Sequence, residues 1–180
     1  MKNIFLAIAI LFSFSASAQV TKVTLQASGL TCSMCSNSIN KALQSLPSVE
    51  KVMANIRTSS FDITFKPGAV VSFDELKNKV EDAGFFVAKL TATIRFDNQA
   101  IQNDEHIQSN GMTLHFLNVK DQTLNGTKTI QVLDKGYVSA KEFKKNELYT
   151  KMDCYKTGVA GTCCSKGGMA AGARIYHVTI

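Results

Sequence analysis

The sequence predicts an α+β protein, with a β-α-β-β-α-β unit in its first half and a smaller, mostly β region after it. Short runs alternate apolar and polar residues at the period of a strand, at Val23–Ala27, Val52–Ile56, Phe61–Phe65 and Phe86–Ile94. Between them, apolar residues recur at helical spacing from Cys35 to Leu46 and from Phe73 to Ala83. The runs interleave within about 70 residues, a length that suits one antiparallel sheet with two helices on one face.

Each element has its own local signal. Val23, Leu25 and Ala27 point to the inner face of the first strand. Cys35, Ile39, Ala42, Leu43 and Leu46 share one face of the first helix, and Pro47 helps to stop it. Val52, Ala54 and Ile56, then Phe61, Ile63 and Phe65, form two strands joined by a turn at Thr58-Ser59, and Pro67-Gly68 ends the pair. Ser72-Phe73-Asp74-Glu75 is a capping box that opens a helix with Phe73, Leu76, Val80 and Ala83 inward. Gly84 suits the left-handed cap that ends it. Phe86, Ala88, Leu90, Ala92 and Ile94 are expected to face the core from the last strand.

The ends of the chain bound its class. Lys2, the apolar run Ile4–Phe14 and the small residues Ala16-Ser17-Ala18 have the three parts of a secretory signal peptide over residues 1–18, with cleavage expected between Ala18 and Gln19. The run is well short of the ~20 residues of a spanning helix, so the mature protein is expected to be periplasmic or secreted and not membrane-embedded. The net charge is +6, but the lysines are scattered and only Lys144-Lys145 are adjacent. That pattern lacks a nucleic-acid stripe and reads as a solvated basic surface.

The five cysteines carry the chemistry. Cys32 and Cys35 stand two residues apart between the first strand and the first helix, where a loop can aim two thiolates at one soft ion. Two sulfurs suit the near-linear coordination of Cu(I) or Hg(II) and leave Zn(II) short of four ligands. Cys35 at a helix start gains from the positive end of the dipole, which favours its thiolate. Thr31 and Ser33 can supply hydroxyls to the loop backbone. A disulfide between Cys32 and Cys35 is the competing reading in an exported chain. Thiol-disulfide exchange is another. Against it, the chain has no Trp, and its two prolines sit at element ends.

Gly29-Leu30-Thr31-Cys32-Ser33-Met34-Cys35, placed after the first strand of this element order, resembles the metal loop of the heavy-metal-associated domain family. That family includes copper chaperones, copper-pump N-termini and the periplasmic mercury-binding protein. The resemblance spans residues 21–92. Leu30 replaces the usual Met, a conservative change at a position that packs under the loop. The resemblance implies a ferredoxin-like fold, with Cys32 and Cys35 as metal ligands and Phe85, after the second helix, shielding the sulfurs. Met34 is implied to face solvent. The implied activity is binding Cu(I), with Hg(II) next and Zn(II) a further candidate, and passing it to a metal-transporting membrane pump or another cysteine-bearing metal protein. No enzymatic turnover is implied.

The rest of the chain is expected to comprise a polar linker at 95–111 and a small, mostly β domain at 112–180, following the metal-binding unit at 19–94. Strands are expected at Met112–Val119, Thr129–Leu133 and Arg174–Ile180, with Leu148–Tyr155 extended. Ser139-Ala140-Lys141-Glu142 opens a short helix with Ala140 and Phe143 inward. Cys154, Cys163 and Cys164 form a second cluster, either a disulfide from Cys154 to Cys163 or Cys164, or a second soft-metal site with a Met or His. His115 and His177 read as packed strand residues, and His106 shows no evident partner in sequence.

Overall fold

The first strand, β1 (Val20–Ser28), is followed by α1 (Ser33–Gln44), β2 (Val49–Asn55), β3 (Ser60–Phe65), α2 (Phe73–Asp82) and β4 (Phe86–Ile101). The chain continues through β5 (Glu105–Ser109), β6 (Met112–Phe116), β7 (Gln122–Val132), α3 (Ala140–Asn146), α4 (Cys154–Thr157) and β8 (Ile175–Thr179). This computed structural model describes residues 20–30, 32–109, 111–162, 164 and 169–180; the expected leader, Thr31 and Cys163 lie outside them. Among the described residues no helix is long and apolar enough to cross a membrane.

The expected elements of the first half are present. β1, β3 and β4 pair antiparallel, as do β2 and β3, giving the order β2-β3-β1-β4. Ser72 caps α2 by accepting from the Glu75 backbone N–H at 3.2 Å. The inner face of α2 is Phe73, Leu76 and Val80, as its spacing predicts. In α1 the buried residues are Ser36, Ile39 and Leu43.

The inward face of β4 differs at its start. Phe86 is 68% exposed and Ala88 is exposed, whereas Val87, Leu90, Ala92, Ile94 and Phe96 are buried. The register explains this. Gln26 pairs with Lys89 but Ala27 pairs with Val87, so Ala88 is an extra residue and the inward phase changes across it.

The second half joins the same sheet. The full order is β2-β3-β1-β4-β7-β8-β6-β5. Residues 95–101, expected within a linker, continue β4 and pair with β7. Asp97 and Asn98 occupy a bulge between the pairs Phe96–Gly126 and Gln99–Leu124, and Asn98 has φ +45°. Polar residues with one left-handed backbone read locally as a loop, yet here they bend a continuous strand. Residues 105–109 are strand β5 rather than linker.

Further expectations are adjusted downstream. α3 has its predicted cap, with Ser139 accepting from the Glu142 N–H at 3.2 Å, but Ala140 is exposed and only Phe143 packs inward. The segment expected to be extended, 148–155, instead contains a 3₁₀ turn (Glu147–Tyr149) and the start of α4. β8 lies inside the sheet, antiparallel to β7 and parallel to β6.

β6 and β8 are covered on both faces. Leu114, Phe116, Tyr176 and Val178 join the core that contains Phe73 and Leu76 of α2. The alternate residues face the other way, toward α3, α4 and the segment after them, where Leu117 packs with Tyr155 and Ile175 with Cys154 and Cys164.

A polar joint ties α2 to the second half. Asp74 accepts from Arg174 (Nε 2.7 Å, Nη2 3.2 Å), from Tyr137 Oη at 2.6 Å and from Tyr176 Oη at 3.1 Å. Burial opposes ionisation of Asp74, but the Arg174 and tyrosine bonds outweigh it and hold its carboxyl below the usual range. Arg174 also reaches Asp134 Oδ2 at 2.9 Å.

Candidate metal centre

β1 and α1 place the first cysteine pair. Gly29, at φ +83°, turns the chain out of β1, and Leu30 packs against the core beneath the loop. Cys32 is the N-cap of α1, and its Sγ accepts from the Cys35 backbone N–H at 3.2 Å. Negative charge on that sulfur is therefore favoured by an aimed N–H and by the positive end of a 12-residue helix. Cys32 is exposed and Cys35 half-buried. The two are joined as a disulfide, with Cα atoms 5.4 Å apart.

The surroundings of the loop leave one side open. Met34 is 79% exposed and points away from the core. Leu30, Ser36, Ile56 and Ser59 border the depression at Cys32 and Ser33. Phe85 follows the left-handed Gly84, and its backbone N–H donates to Val80 O at 3.1 Å. Its ring is half-buried against the core, and its Cδ1 lies 4.0 Å from where a Cβ on Gly29 would stand. Gly29→Ala is expected to cost about 1–2 kcal/mol, mostly for a side chain at positive φ. Urea denaturation measures it; a change within a few tenths of a kcal/mol would show that the loop relaxes instead.

The element order and this loop match a known family. The heavy-metal-associated domain matches residues 24–86. The mercuric transport protein periplasmic component of Serratia marcescens is 36% identical over 63 residues, covering 35% of this chain and 68% of that protein. The chain belongs to the heavy-metal-associated domain family. The copper-transporting ATPase RAN1 of Arabidopsis thaliana is 37% identical over 57 residues, which are 32% of this chain and 6% of the ATPase. This chain thus spans only a small part of the length of that relative. The solved yeast copper transporter domain Ccc2a is 34% identical, covering 37% of this chain and 90% of that domain, with a TM-score of 0.34.

The second half of this heavy-metal-associated protein holds another cluster. Cys154 and Cys164 are buried, and among the described residues the one disulfide is Cys32–Cys35. Two of the histidines are brought to these sulfurs: His115, expected as a packed strand residue, and His106, which shows no partner in the sequence. His106 Nε2 is 3.6 Å from Cys154 Sγ and 3.7 Å from Cys164 Sγ. His115 Nδ1 is 3.8 Å from Cys154 Sγ. Burial, followed by the neighbouring His106 and His177, pushes His115 down to about 3, with Asp104 opposing. His106 is lowered for the same leading reason. Both rings are thus kept neutral near pH 7 and can offer lone pairs.

One signal for this grouping was present in the sequence. Asn110-Gly111, flanked by alternating residues, is a two-residue hairpin signature. A turn there pairs Ser109 with Met112 and so His106 with His115, which is the register observed.

Proposed function

We propose that the protein is an exported carrier that binds Cu(I) through reduced Cys32 and Cys35 and passes it to a cysteine-bearing partner, without catalytic turnover. The supporting observation is the pair at the N-terminus of α1, with Cys32 exposed and Cys35 half-buried, close enough to bridge and therefore close enough to share one ion. In the carrier the cysteines are thiolates, so an external dithiol must first reduce the Cys32–Cys35 disulfide by two electrons, itself leaving as a disulfide. Phe85 restricts water on the side of Gly29, while the exposed Cys32 leaves an approach for an incoming sulfur. A two-sulfur ion can then add the partner's thiolate, pass through three-coordination and leave.

The partner proposed is a metal-transporting membrane pump or a second cysteine-bearing metal protein, in keeping with the copper-transporting relatives. Hg(II) is the alternative cargo, in keeping with the mercuric transport relative, and it uses the same two sulfurs.

Anaerobic Cu(I) titration of the reduced protein against a chromophoric chelator tests the reading. One tight equivalent should disappear in Cys32→Ser/Cys35→Ser. If that variant binds the same number of equivalents as wild type, the loop is not the carrier site. Metal-free reduction of insulin disulfides that depends on Cys32 would instead make the pair a thiol-disulfide oxidoreductase.

A further inference from the structure

The geometry points to a second metal site, separate from the Cys32–Cys35 loop, in which His106, His115 and Cys154 hold a thiophilic d¹⁰ cation, with the Cys164 sulfur beside His106. Three adjacent strands build its floor. β5 and β6 pair His106 with His115, and β6 and β8 pair His115 with His177. Partners in register project to one face, so the three imidazoles form a row across the sheet. The ring centroids are 4.1 Å apart for His106–His115 and 4.9 Å for His115–His177. α4 and the segment after it supply Cys154 and Cys164 above that row.

The spacing fits an ion. The donor atoms of His106, His115 and Cys154 all lie within 4.8 Å of one another. With metal–nitrogen bonds of about 2.0 Å and metal–sulfur bonds of about 2.3 Å, tetrahedral ligands stand about 3.6 Å apart. The three nitrogen–sulfur distances, 3.6, 3.7 and 3.8 Å, match that edge. Two imidazoles and a thiolate, with a second sulfur next to His106, suit Zn(II) and Cu(I), which share this coordination chemistry.

Carboxylates orient the rings from behind. His115 Nε2 is 2.9 Å from Asp104 Oδ1, which leaves Nδ1 unprotonated toward Cys154. His177 Nδ1 donates to Asp134 Oδ1 at 2.6 Å, so its lone pair is on Nε2. That Nε2 is buried with no hydrogen-bond partner among the described residues. A carboxylate behind a histidine with its other nitrogen turned inward is the arrangement metal sites use to fix ring orientation.

The test uses the full chain carrying Cys32→Ser/Cys35→Ser, so that the loop contributes nothing. The reduced protein is titrated separately with Cu(I) and Zn(II) against chelators, and the bound ion is examined by X-ray absorption. One equivalent should remain, with a mixed nitrogen and sulfur shell, and the tighter-binding ion identifies the cargo. Adding His106→Gln or Cys154→Ser should weaken it at least ~100-fold, with circular dichroism showing that the fold persists. Asp104→Asn, at a half-exposed position, should weaken it about 10–100-fold as a loss of ring positioning. A folded double variant that binds neither ion, a shell without sulfur, or binding unchanged by both His106→Gln and Cys154→Ser would overturn the site. None of these results depends on whether wild type loads Cu(I) at the loop.

Discussion

The metal-free protein is expected to lose about 3 kcal/mol of stability between pH 7 and pH 4, with His115 as the main cause. His115 has no exposed surface in the fold, and its pKa is pushed from 6.5 down to about 3. The unfolded chain therefore takes up a proton near pH 6.5 that the folded chain refuses until about pH 3. Between those values the unfolded state binds more protons, so stability falls with falling pH, by about 1.4 kcal/mol per pH unit. His106 is shifted in the same direction and adds to the loss. Asp74 is lowered from 3.8, so its stabilisation is present above that value and is lost only at lower pH. The two effects are thus separated along the pH axis. Urea denaturation with a chelator present, at pH 7, 6, 5 and 4, measures the slope. His115→Gln should start less stable but show a flatter profile. A flat wild-type profile over that range would mean that His115 is not held neutral by its surroundings.

Asp134→Ala should destabilise the fold by about 3 kcal/mol at pH 7. The Asp134 side chain is 6% exposed and accepts from three donors: His177 Nδ1 at 2.6 Å, the His177 backbone N–H at 3.2 Å and Arg174 Nη2 at 2.9 Å. Removing it leaves a buried imidazole N–H and a buried backbone N–H without their acceptor, and takes one of two carboxylates from Arg174. Breaking a buried ion pair from one side costs about 3–5 kcal/mol, and Asp74 still holds Arg174, which places this case at the lower end. Asp62→Ala is the control. Asp62 pairs with Lys22 at 2.8 Å, but both side chains are more than a third exposed or close to it, so a loss below about 1 kcal/mol is expected. If the two variants were equally stable, the Asp134 network would be no stronger than a surface pair.

Local signals read well where each is contained within one or two turns of chain. The alternation in β1 and β3, the Ser72–Glu75 and Ser139–Glu142 boxes and the spacing of Phe73, Leu76 and Val80 all describe short-range geometry, and the structure repeats them. The same reading failed where one extra residue reset the pattern. Ala88 reverses the inward phase of β4, and Asp97-Asn98 imitates a loop inside a paired strand. A bulge is defined by the partner strand, and the partner is not visible in the bulged segment.

Helix caps and strand alternation are set by neighbours in the chain, so the β-α-β-β-α-β unit and the place of Cys32 and Cys35 at a helix start are legible in the residues alone. The entry of β8 between β7 and β6, which sets His106, His115 and His177 in one row under Cys154 and Cys164, appears only once the chain is folded. The Asn110-Gly111 turn could pair the first two histidines. The third comes from a strand more than 60 residues later, and the sulfurs from the segment between, so their meeting depends on sheet order and register, which are fixed by burial across the whole molecule.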